Sequence, residues 1–123
     1  MDIEDIEDVK TLVRRLQERH PDIRPYGEED WDWDWADEGM EALEFGDYVL
    51  AEFKFQQLIV SQPRNLDGYE GLALVCQAMG RRTQALFLID HAVKIAKAQR
   101  ETGSLDAEAL DEILAEQKAI QNM

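Results

Sequence analysis

The sequence predicts an all-α protein assembled from repeated helix–turn–helix units. Three observations carry that prediction. Apolar residues recur every three or four positions along most of the chain, and turn-forming residues interrupt the period at intervals of one helix length. The whole pattern then repeats on itself after 34 residues. The only alternation of strand type, Asp-Trp-Asp-Trp-Asp-Trp at 30–35, is too short and too acidic to form a strand.

Taken in order, residues 2–19 read as an amphipathic helix with Ile3, Ile6, Val9, Val13 and Leu16 on one stripe, Asp2 as its N-cap and Pro21 as its stop. Pro21, Pro25 and Gly27 mark residues 20–31 as a linker, so 1–31 forms an N-terminal helix with an acidic connection. Residues 32–123 form the main helical domain, broken at Gly46-Asp47, Pro63-Arg64-Asn65, Gly80 and Thr102-Gly103-Ser104. A last helix over 106–121 carries Leu110, Ile113, Leu114, Gln117 and Ile120 on one stripe and acids opposite, the pattern of a solubilising cap. The 2–19 helix either covers the other end of the array or pairs with a second copy in a homodimer.

At the 34-residue shift, Trp35 meets Tyr69, Gly39 meets Ala73, Gly46 meets Gly80, Ala51 meets Ala85, Phe55 meets Ile89 and Leu58 meets Ala92. Large falls on large, small on small, and turn glycine on turn glycine. Mid-helix glycine costs about 1 kcal/mol against alanine, so Gly39 implies close helix approach. Gly46 and Gly80 supply the positive φ that ends a first helix. Asp47 and Thr83 are the expected caps of the second helices, Ala51 and Ala85 clear the crossing, and Phe55 and Ile89 fill the core. Trp35 is expected in that core.

These residues resemble the tetratricopeptide repeat (TPR) family, whose pattern W-x2-L-G-x2-Y…A-x3-F…P is matched by Trp35, Gly39, Ala51, Phe55 and Pro63. Glu38 and Ala42 depart from it, standing where Leu and Tyr are usual. The second unit has Tyr69, Leu72, Ala73, Cys76, Gly80, Ala85 and Ile89 but Lys97 where proline is common, as in a final repeat that runs on into a longer helix. The resemblance covers 32–99, as repeats 32–65 and 66–99. It implies a short α-solenoid with the N-terminal helix and the C-terminal cap as additions.

Charge sets the classes of partner. The chain has 123 residues, 27 Asp+Glu against 13 Lys+Arg, and a formal net charge of −14. Residues 1–47 hold 17 acids and 5 bases; the remainder hold 10 and 8. The acidity therefore belongs to the N-terminal part and peaks in Glu28–Glu38, where seven acids surround three tryptophans. Such a surface repels phosphate, which disfavours nucleic acid and anionic membrane as partners. No run approaches the ~20 apolar residues of a membrane span, and Met1–Asp5 lacks the positive start of a secretory signal. A single cysteine, Cys76, fits a reducing compartment, and a cytoplasmic location is expected.

No catalytic constellation emerges, and neither an enzyme nor a cofactor is expected. His20 and His91 are far apart in sequence and read as surface or packed side chains. Cys76 reads as an inert core thiol. Asp30, Asp32, Asp34, Glu38 and Glu41 approximate a calcium loop, but Trp35 stands where that loop needs glycine, and no metal is expected. Trp31 and Trp33 cannot share the face of Trp35, since two residues along a helix turn about 200°. At least one of them is a contact candidate, or packs the linker on the N-terminal helix.

The resemblance also implies a function, since in this family the first helix of each unit lines a concave groove that binds segments of other proteins. By position, that groove is Trp33, Asp37, Met40 and Glu44, then Asp67, Glu70, Leu74 and Gln77. The basic clamp by which some relatives hold acidic chaperone tails is absent, because Ala36, Met40 and Gly71 occupy its positions. An acidic groove with apolar spots suits a basic or mixed basic and apolar segment. The expected function is a small non-catalytic adaptor or scaffold. A dedicated secretion-type chaperone and a self-associating structural unit are the alternatives.

Overall fold

The computed structural model describes residues 8–23 and 32–123, with backbone alone at 32–34. Six α-helices and no strand occur among the described residues: α1 (Val9–Arg19), α2 (Asp32–Glu44), α3 (Tyr48–Ser61), α4 (Leu66–Ala78), α5 (Arg82–Glu101) and α6 (Ala107–Gln121). The all-α expectation holds. Residues 1–7 and 24–31, with Trp31 and the calcium-loop residue Asp30, lie outside the described residues. Helix from Asp32 to Glu44 replaces the loop conformation that calcium ligation would need over that stretch.

Starts at 32 and 66, and again at 48 and 82, show that the helix pair recurs after 34 residues. Each first helix ends on a glycine with positive φ, Gly46 at 80° and Gly80 at 73°. The following amides, of Asp47 and Arg81, reach back to the carbonyls of Ala42 and Cys76 at 2.8 and 2.9 Å, closing a Schellman turn in both units. Asp47 then caps α3 by accepting from the Leu50 amide at 3.2 Å. Thr83 does not cap α5. The turn delivers Arg81, the register mate of Asp47, to the N-cap, and no side-chain cap bond forms there. The expectation was two residues late because it looked for a hydroxyl rather than for the position equivalent to Asp47.

Successive helices pack on one another from α2 to α6, and α2 also packs beside α4. The first helices α2 and α4 thus lie side by side, and α3 packs against both. Phe55, Leu58, Ile59, Tyr69, Leu72, Leu88 and Ile89 fill the space between the helices, each at most 1% exposed. The Phe55 ring lies in a cradle made by two glycines, one from each first helix. A Cβ on Gly39 would come within 2.8 Å of the ring, and one on Gly71 would overlap it outright. Gly71 is buried against Phe55 and presents nothing to a surface groove. Trp35, expected in the core, is half-buried, whereas its mate Tyr69 is fully buried and stacks edge-on with His91 at 4.6 Å. The second unit has helices on both sides, which accounts for the deeper burial of Tyr69.

The N-terminal helix departs from its prediction. Asp8 has extended backbone (φ −141°, ψ 160°) and accepts the Thr11 amide at 2.8 Å, so α1 begins at Val9 and no unbroken helix runs over 2–19. Asp8 was read as mid-helix, yet its carboxylate satisfies an otherwise orphaned amide and makes the better cap. The buried residues of α1 are Leu12 and Leu16, and Leu12 was missing from the predicted stripe. They pack on α3, where His20 Nε2 donates to Gln56 Oε1 at 2.9 Å and the His20 ring meets Phe53 at 5.1 Å. Gln56 Nε2 donates onward to Glu52 at 3.1 Å, and Glu52 pairs with Arg81 at 3.8 Å. A polar chain therefore ties α1 through α3 to the α4–α5 turn.

The last helix matches its prediction closely. Asp106 caps it through the Ala109 amide at 2.8 Å, and Ile113 and Ile120 are buried, with Leu110, Leu114 and Gln117 half-buried beside them. Gln117 Nε2 donates to Asp90 at 2.9 Å and Arg82 donates to the Gln121 carbonyl at 3.1 Å, fixing α6 along α5.

Candidate functional site: an acidic helical face

Positions 33, 37, 40 and 44 of α2 and 67, 70, 74 and 77 of α4 are spaced by three and four residues, so each set forms one helical stripe. Asp37, Met40 and Glu44 are exposed, with Met40 at 38%, while Glu70, Leu74 and Gln77 are half-buried. Only the backbone of Trp33 is described. Asp37 and Asp67 come together across the two helices. The carboxyl of Asp67 is held above the usual carboxylate range by partial burial and then by the charge of Asp37.

A third helix joins this face. Glu70 of α4 meets Glu116 of α6, with Glu112 beside them. Burial first, then the charge of Glu116 and a hydrogen bond to it, push the Glu70 carboxyl up to about 8, with Asp67 and Glu112 adding to the shift. Glu70 therefore holds a proton at neutral pH and donates it to the Glu116 carboxylate. Burial and Glu112 also raise Glu116, against the lowering effect of that bond. Glu116 Oε2 is buried without a hydrogen-bond partner among the described residues. Sequence reasoning missed Glu112 and Glu116 because it treated 106–121 as a cap with its acids opposite the apolar stripe, whereas Glu116, three residues from Ile113 and four from Ile120, lies beside that stripe.

The proton on Glu70 ties stability to pH. It is bound in the folded state and absent from the unfolded chain between the ordinary value of 4.5 and about 8, so stability falls as pH rises through that window. Glu70→Gln is expected to remove most of the fall. At about pH 9 the variant should melt roughly 5 °C above wild type, allowing for solvent that reaches the pair, and near pH 4 the two should coincide. Thermal melts at the two pH values measure this, and parallel curves for both proteins would refute it.

Elsewhere the chemistry is quiet. Cys76 is 2% exposed, and burial, reinforced by Glu52 and opposed by Arg81, pushes its thiol up to about 11. Folded protein should react with a disulfide reagent only as fast as it unfolds; rapid labelling without denaturant would contradict the burial. His91 is held below its usual range by burial and then by Lys94. Among the described residues no group of three or more His, Cys, Asp or Glu is placed to hold a metal ion. No described helix is long and apolar enough to cross a membrane. Exposed apolar side chains concentrate at the α2–α3 turn, where Phe45 and Val49 are 80% and 79% exposed, and sequence reasoning did not single them out.

Acids of α2, α4 and α6 thus come together on one face among the described residues. Compared with family models, with curated proteins and with solved structures, the chain finds no match.

Proposed function

We propose that the chain is a TPR-type protein-interaction module, a small non-catalytic adaptor that works in the cytoplasm. Its acidic face takes a segment of another protein rich in Lys or Arg with apolar side chains between them. The observation that carries the reading is the convergence of Asp37, Asp67, Glu70, Glu112 and Glu116 around α2, α4 and α6. Carboxyls that raise one another's pKa gain most from a cation laid between them. Met40 and Leu74, on the same stripes of the adjacent helices α2 and α4, give such a segment apolar contacts. The 34-residue recurrence of the helix pair and its matched glycine turns support the family resemblance.

Affinity capture from the native lysate tests the reading, with wild type beside Met40→Arg and Leu74→Arg. Proteins enriched in basic segments should be held by wild type and lost by both variants, with helicity unchanged by circular dichroism. Capture unaffected by both substitutions would discard this face as the binding surface.

A further inference from the structure

Away from the carboxyls of α2, α4 and α6, the described residues carry a second surface, lined by several cations. Between α1 and α5 runs a groove of about 1020 Å³, above the roughly 300–1,000 Å³ of common small-molecule pockets. Val9 and Val13 form one wall and Ile95 and Ala98 the other. The Tyr69–His91 edge-on pair also borders it. Tyr69 donates its hydroxyl hydrogen to the Pro63 carbonyl, so its polar end is engaged within the protein.

The charges that line this groove depart from the rest of the chain. Among the described residues that line it, Lys10, Arg14 and Arg64 stand with one acid, Asp8, in a protein whose net charge is −14, and Arg64 is itself engaged within the protein. The Asp8 carboxylate is engaged with the Thr11 amide as the cap of α1. Two helices flanking an apolar trough with cations beside it match the requirements of a third, amphipathic helix with acids on its flanks.

We infer that the α1–α5 groove docks an acidic amphipathic helix of a partner protein, with aliphatic side chains between Val13 and Ile95 and carboxylates against Lys10 and Arg14. This surface is separate from the acidic face of α2, α4 and α6 and does not depend on it. The protein then bridges two partners of opposite charge.

The test uses the full chain and a fluorescent peptide of about 15 residues, with leucine every third or fourth position and glutamate between. Anisotropy should show saturable binding at low salt that weakens about tenfold at moderate salt. Ile95→Glu should weaken binding by about tenfold or more, and so should the exposed pair Lys10→Glu with Arg14→Glu, which leaves the apolar walls intact. Leu74→Asn, on the other face, should bind the acidic peptide as wild type does, so failure of the acidic-face reading leaves this result unmoved. No saturable binding, or binding by the Ile95→Glu and Lys10→Glu/Arg14→Glu variants as tight as that of wild type, overturns the inference. Self-association in sedimentation that Ile95→Glu abolishes would make a second copy the occupant and overturn it equally.

Discussion

Gly71→Leu is expected to leave the chain without a stable fold, and Gly71→Ala to cost about 1–2 kcal/mol. The reason is the ring of Phe55, which is 1% exposed and held between Gly39 and Gly71. A methyl group at Gly71 falls within the ring, and Gly39 blocks retreat on the other side. Overpacking of this kind costs typically about 1–3 kcal/mol, while alanine returns about 1 kcal/mol of helix propensity, so the net for alanine stays unfavourable. Leucine adds three further carbons with nowhere to go. Gly39→Ala, whose Cβ would approach to 2.8 Å, should be the milder change. Shrinking the ring should offset the added methyl group: Gly71→Ala combined with Phe55→Leu should show a favourable coupling of about 1 kcal/mol in urea unfolding. An alanine variant as stable as wild type would show that α3 does not pack this tightly between α2 and α4.

The second large effect concerns binding. Replacing Asp67 and Glu70 together by lysine should reduce affinity for a Lys- and Leu-rich amphipathic peptide by about a hundredfold. Both carboxyls lie where the acids of α2, α4 and α6 converge; lysine at 67 replaces an attracting carboxylate, and lysine at 70 puts a positive charge where a protonated carboxyl stood. Leu74→Arg should cost less, about tenfold, since it removes one apolar contact and adds one like charge. The wild-type affinity should fall steeply with salt, while the Asp67→Lys/Glu70→Lys protein should show little salt dependence. A peptide that binds the double variant as tightly as wild type would sink the electrostatic account.

Much of this architecture was legible because it repeats. The 34-residue register placed Gly46 and Gly80 in positive φ and identified Asp47 as a cap, since backbone geometry at a tight turn admits few residue types. Where a position lacked the usual residue, the register was the better guide: Arg81 occupies the cap site because it is equivalent to Asp47, whatever its side chain offers. Helix α1 has no repeat partner and was read less well. Its apolar period extends through Asp8, and only the local competition for the Thr11 amide stops the helix there. Trp35 was expected in the core from its register with Tyr69 and from the repeat pattern, but burial depends on a neighbour covering it, which one position in a repeat does not encode. Half of the acidic face was visible as Asp37, Asp67 and Glu70. The other half, Glu112 and Glu116, arises only when α6 folds back beside α4, a juxtaposition 42 to 46 residues distant from Glu70 in the chain.

The most direct test is to titrate isotope-labelled protein with the Lys- and Leu-rich peptide and follow every backbone amide. The acidic-face account predicts shifts confined to α2, α4 and α6, strongest near Asp37, Asp67, Glu70 and Glu116, while α1 and the groove-facing residues of α5 stay fixed. Saturable binding whose shifts fall on α1 and α5 instead, or no binding at low salt, would contradict it.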